Sequence, residues 1–210
     1  TARPSCAPML VVTHNSYEAH RLHNDLQTLL PPDEVRLFPA LETLPHEEVT
    51  RTVELTRERL TVLDRLASSD AVLVVAPIQA LCERIIPRAQ FAERVVRIDM
   101  ESRVDLEFLG SRLVELGYDR VDRTEAPGHF SIRGGIVDVY PFTLMRPARV
   151  ELFDDEVDSI RLFDSISQRS VEKIAELRIA PAREFLYPEA ERSPVLERIR
   201  AAATAQAGTL

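Results

Sequence analysis

Lysine is nearly missing from this sequence, and so is any glycine-rich loop. Its 26 basic residues are 25 arginines and Lys173, and it holds six glycines in 210 residues. A phosphate-cradling loop needs glycines to bring backbone N–H groups to the phosphates and a lysine to neutralise them. No such loop precedes Lys173. The only glycine pair, Gly134-Gly135, lies within a β pattern, where a bulge or tight crossing is expected. The apolar stretch 71–76 ends in Ala-Pro, where a nucleotide-hydrolysing strand would end in a magnesium-binding carboxylate. These absences predict no ATP site and no cofactor.

Other chemistries lack their residues as well. Two cysteines, Cys6 and Cys82, cannot build a disulfide framework. Both adjoin apolar runs and are expected as buried thiols in a reducing, cytoplasmic setting. The longest apolar run, 71–78, is far short of a membrane span, and no basic-apolar signal segment opens the chain. His20 and His23 stand three apart on a helical pattern, but no third ligand accompanies them, so no metal is expected. Asp154, Asp155, Glu156 and Asp158 lack the glycine and ligand spacing of a calcium loop and read as turn residues. No Gly-x-Ser-x-Gly occurs.

Positive charge is scarce too. The formal net charge is −8, with 10 basic and 13 acidic residues in 1–94, 12 and 17 in 95–182, and 4 and 4 in 183–210. Duplex binding needs concentrated Lys and Arg to displace counterions. At most weak, salt-sensitive DNA binding is expected.

The apolar patterning is that of a globular protein. Residues 9–13 read as a buried strand. Asn15 can cap the next helix, with Glu18 at the reciprocal position, and Ala19, Leu22, Leu26, Leu29 and Leu30 inward until Pro31-Pro32. A strand at 35–38 and a long helix at 47–68 follow, with Val49, Val53, Leu60, Leu63 and Leu66 as its buried stripe. Residues 71–76 read as a strand buried on both faces, and Pro77 as the first residue of a short helix. The alternation predicts a parallel sheet with crossover helices. Residues 95–98 lead onward to a helix capped by Asp105, lined by Leu106, Leu109, Leu113 and Leu116, and stopped by Gly117. Strands of an antiparallel sheet are then expected at 118–124, 130–133, 136–140, 149–153 and 157–163, and a last helix from Ser193-Pro194 to residue 207.

The stretch 130–164 is the most informative. Side chains in a strand repeat every two residues, so Arg149, Glu151 and Phe153 share one face, with Arg133 on a nearby strand. Arginine and aromatic residues dominate interface hot spots, so such a face suits protein docking. A solvated sheet face with one stray phenylalanine is the plainer alternative on spacing alone.

The wording of this stretch goes further. Arg133-Gly134-Gly135-Ile136-Val137-Asp138-Val139-Tyr140-Pro141, then 149–164, then Ser167-Gln168-Arg169-Ser170, resemble the inserted domain shared by the nucleotide-excision-repair protein UvrB and the bacterial transcription-repair coupling factor, Mfd. Val11 to Asn15 resembles an early strand-end of both families. Phe38-Pro39-Ala40-Leu41-Glu42-Thr43-Leu44-Pro45 is similar to the coupling factor, whereas UvrB carries a tyrosine-rich DNA clamp there and this stretch has no tyrosine. The resemblance implies a helicase-like parallel-sheet α/β domain without a nucleotide site at 1–94, an inserted α+β domain with an antiparallel sheet at 95–182, and a return segment at 183–210. It implies a non-catalytic module that binds UvrA through Arg133, Arg149 and Phe153. By resemblance the module also helps restrain its parent, whose RNA polymerase and DNA contacts lie in regions outside this chain. A UvrB-like damage-verifying fragment and an orphan regulatory ATPase fragment are the alternatives.

Overall fold

The computed structural model describes residues 7–41, 53–68, 71–184, 196–201 and 204. Strands β1 (Met9–Thr13), β2 (Val35–Leu37) and β3 (Leu73–Pro77) form a parallel sheet in the order β1-β3-β2. Helices α1 (Ser16–Gln27) and α2 (Val53–Ala67) are the crossovers. Asn15 caps α1 by accepting from the Glu18 N–H at 2.8 Å. The central β3 is apolar on both faces because both are covered. Val75 joins Val35, Leu37 and Ala19 on the α1 side, and Val74 and Ala76 join Leu60 and Leu63 on the α2 side.

Several expectations give way here. β1 is an edge strand, and Met9, Leu10 and Val12 are exposed rather than buried, since α1 and α2 pack over β2 and β3. Helix α1 ends at Gln27, so Leu29 and Leu30 lie beyond its apolar stripe and are exposed. Val53, at the first turn of α2, is exposed too, while Arg59 is fully buried. Residues 47–52, including Val49, lie outside the described residues. Pro77 ends β3 and precedes α3 (Ile78–Leu81) as its cap residue instead of opening the helix. Cys82 is exposed, and Cys6 lies outside the described residues.

After α4 (Arg88–Arg94) comes β4 (Val96–Asp99), which pairs antiparallel with β11 (Glu176–Ile179), Val96 opposite Ile179. This ribbon is where the chain enters and leaves a second layer pair. Helix α5 (Leu106–Glu115) is capped by the Asp105 carboxylate, which accepts from the Phe108 N–H, and stopped by Gly117 at φ +87. It lies on a six-stranded sheet of order β10-β9-β8-β7-β6-β5. The strands are β5 (Asp119–Arg120), β6 (His129–Arg133), β7 (Ile136–Val139), β8 (Ala148–Phe153), β9 (Glu156–Phe163) and β10 (Ser170–Lys173). Leu109, Leu113 and Leu116 pack on Phe130, Val137, Val139, Val150 and Ile160.

The sheet is mixed rather than purely antiparallel, because β5 runs parallel to β6. The strand expected at 118–124 is only two residues long. Tyr118 turns inward to donate its hydroxyl to the Ala180 carbonyl at 2.7 Å, and Thr124 turns inward to reach Ser131 and the Asp138 carbonyl. Gly134-Gly135 is a two-residue hairpin turn, not a bulge. Gly134 sits at φ +59, and a Cβ on Gly135 would lie 2.8 Å from the Leu152 carbonyl oxygen. The bulge is in the β8–β9 pair, where one extra β9 residue shifts the register between Glu151 and Leu152. β10 and β11 lie beyond the strands expected from the sequence. The last helix is present at 196–201 and 204, and its expected start falls outside the described residues.

Candidate protein-docking face

Directly paired strand residues share a face, so the registers map the side of the sheet away from α5. Arg133 lies opposite Ile136, Asp138 opposite Arg149, Arg149 opposite Arg161, and Glu151 opposite Ser159. Ser131, Asp138, Arg149 and Arg161 thus form a row across four neighbouring strands, and Arg133 stands on the same face in the next row, with Ile136 and Glu151. Along β8 the alternation continues past the bulge. Leu152 turns to the α5 side, and Phe153 points away from it at the hairpin tip, 79% exposed.

The two predicted arginines converge on one carboxylate. Asp138 is fully buried, and Arg149 grips it through two bonds, Nε to Oδ1 at 2.7 Å and Nη2 to Oδ2 at 2.8 Å. Arg133 Nη2 donates to the same Oδ2 at 2.8 Å. The Asp138 bond, with help from its charge and that of Glu151, holds the Arg149 pKa above its ordinary value against the opposing effect of burial. The Arg149 guanidinium also lies over the Phe163 ring at 4.7 Å from its centre. Beside it, Ser159 donates to Glu151 at 2.6 Å, and Arg161 Nη2 lies 3.4 Å from the same Glu151 oxygen. Phe153 stands apart from the clamp, at the end of its strand.

Sequence reasoning placed Arg149, Glu151 and Phe153 on one face. It gave no role to Asp138 or Arg161, although the alternation of Ile136-Val137-Asp138-Val139 already sends Asp138 away from the core. Among the described residues no cluster of three or more His, Cys, Asp or Glu is arranged to hold a metal. His20 Nδ1 pairs instead with the Ser16 carbonyl at 2.8 Å. Among the described residues no helix is long and apolar enough to cross a membrane.

Residues 96–185, which begin at β4 and include the whole six-stranded sheet, match the UvrB interaction domain family. The chain is 41% identical over 192 residues, 91% of its length, to the transcription-repair-coupling factor of Bacillus subtilis. The chain is related to the transcription-repair-coupling factors. It is also 31% identical over 194 residues to the same factor of Staphylococcus aureus (strain USA300), and 34% identical over 181 residues to that of Staphylococcus haemolyticus. The chain spans 16% of the length of the first two coupling factors and 15% of the third. Its fold within that relationship is mixed α/β, with one parallel sheet and one largely antiparallel sheet.

Proposed function

We propose that this segment of a transcription-repair coupling factor is a non-catalytic module that captures UvrA. In nucleotide excision repair, its parent would use it to bring UvrA to a stalled RNA polymerase. The reading divides the chain into a helicase-like body at 1–94, an inserted UvrA-binding domain at 95–182 and the start of a return segment at 183–210. The single observation that carries it is the one-sided sheet of the UvrB interaction domain. Helix α5 covers one face, and the other presents Arg133, Arg149 and a largely exposed Phe153. An exposed large aromatic on the same face as oriented arginines is the composition of an interface hot spot.

The test is capture of purified UvrA by the immobilised chain, with Arg133→Ala and Phe153→Ala alongside. Each substitution is expected to weaken capture by about 2–4 kcal/mol, roughly 30- to 1,000-fold. Wild-type affinity in both variants would place the docking surface elsewhere. Submicromolar DNA binding at physiological salt would instead favour a UvrB-like damage-verifying role, which the net charge of −8 disfavours.

A further inference from the structure

We infer that Asp138 is a positioning residue for this docking face: it orients Arg133 and Arg149 before the partner arrives. The inference rests on the UvrA reading for its binding test, though not for its structural one. The carboxylate takes three N–H bonds, two from Arg149 and one from Arg133, all between 2.7 and 2.8 Å. Each guanidinium has five N–H donors. Arg149 therefore keeps three donors, and Arg133 keeps four, beyond those given to Asp138. Exposure of 16% for Arg149 and 51% for Arg133 leaves a way for a partner to approach those donors.

Asp138 is itself held. It lies mid-strand in β7, wholly buried, and its backbone carbonyl accepts from the Thr124 hydroxyl at 3.3 Å. Such an anchor removes rotamer freedom from two long side chains in the free protein. The ordering that association would otherwise impose is thereby already made, an advantage of roughly two- to tenfold in affinity per side chain.

The effect of removing the carboxylate charge separates two possible roles. If the arginines act only as positive charge toward an acidic partner surface, Asp138 opposes them, and Asp138→Asn tightens binding. If Asp138 positions them, Asp138→Asn weakens binding although the face becomes more positive. The expected result is roughly a 10- to 100-fold loss of UvrA affinity. Equal or tighter binding would overturn the inference. Arg149→Lys is the companion variant, should Asp138→Asn fold poorly. It retains the charge and loses the two-pronged grip, and the expected loss is again at least tenfold. A lysine variant that binds like wild type would overturn the inference as well.

A measurement without UvrA separates this inference from the UvrA reading. In the proton–nitrogen spectrum of the wild-type chain, the Arg149 Nε–H is expected to exchange slowly and to lie away from the position of free arginine. It should collapse to that position in Asp138→Asn. A wild-type signal already at the free position refutes the positioning role. An ordered signal that Asp138→Asn releases, in a chain that does not capture UvrA, sustains the positioning and refutes the choice of partner.

Discussion

Asp138 makes the two arginines it holds unequal. Arg149 supplies two of its three bonds and is largely buried, whereas Arg133 supplies one and is half exposed. Arg149→Ala leaves a buried carboxylate with a single partner and removes the stack on Phe163. A cost of about 2–3 kcal/mol is expected, short of the full cost of stripping a buried ion because Arg133 remains. Phe153→Ala should stay within about 0.5 kcal/mol of wild type, as exposed positions do, and Arg133→Ala should cost less than Arg149→Ala, because Asp138 keeps both bonds from Arg149. Chemical denaturation of the three variants tests the ordering, and an Arg149→Ala chain as stable as wild type would contradict the buried clamp. Loss of UvrA capture by Arg149→Ala alone is consequently ambiguous, and Arg133→Ala with Phe153→Ala gives the cleaner reading. None of this was legible in the sequence. Period two put Arg149 and Phe153 on one side of their strand, but the meeting of Arg149 with Asp138 depends on the β7–β8 register, a pairing that local pattern does not encode.

Elements were legible where their signals are local. The caps at Asn15 and Asp105, the stop at Gly117 and the boundaries of β1 follow from residues within a few positions of one another. The failures lie where a distant neighbour decides. β1 has an apolar sequence, yet its edge position leaves Met9, Leu10 and Val12 exposed. β10 is exposed along its whole length and shows no inward-outward alternation, and β11 exists because β4 lies beside it. The Gly134-Gly135 turn links the local and distant cases. Gly134 has open space around its missing Cβ, so Gly134→Asn, which tolerates φ +59, should be mild. Gly135→Ala should cost about 1–3 kcal/mol, since its Cβ would strike the Leu152 carbonyl and push β8 from the β6–β7 hairpin. Equal melts for the two variants would show that this approach is soft. In α1, burial lowers the His23 pKa, aided by His20 and Arg36 and opposed by hydrogen bonds to Asn24 and Val35. The native state then binds fewer protons than the unfolded chain. Its stability is fully present above the unfolded value of about 6.5 and declines as pH falls through the lower native value. His23→Gln should flatten that decline in a stability–pH series, and an unchanged slope would assign it to other groups.

Across the whole molecule, the two layered parts are joined by buried polar contacts as well as by chain. Arg59 of α2 is fully buried. It reaches Glu184, just past β11, through Nε and Nη2, both at 2.8 Å, and also contacts the Pro39 carbonyl, Glu83 and the face of Phe38. Asp64 on the same helix takes Arg178 of β11 at 2.8 Å, and Arg57 donates to the Phe142 and Leu144 carbonyls. One face of α2 therefore fixes the β4–β11 ribbon and the sheet beyond it, which sets the direction in which the proposed docking face points. Arg59→Met is expected to destabilise the chain by about 3–5 kcal/mol, because Glu184 would remain buried without its partner. Arg59→Met with Glu184→Met removes the stranded charge too and should recover part of that loss, since a well-packed apolar pair can replace a buried ion pair. Recovery will be incomplete, as Glu83 and the Pro39 carbonyl also lose their donor. Denaturant unfolding of the two variants decides the matter. If the double variant is no more stable than Arg59→Met alone, the cost lies in lost packing around Phe38 rather than in a stranded carboxylate, and the ion pair is not what holds the two parts in register.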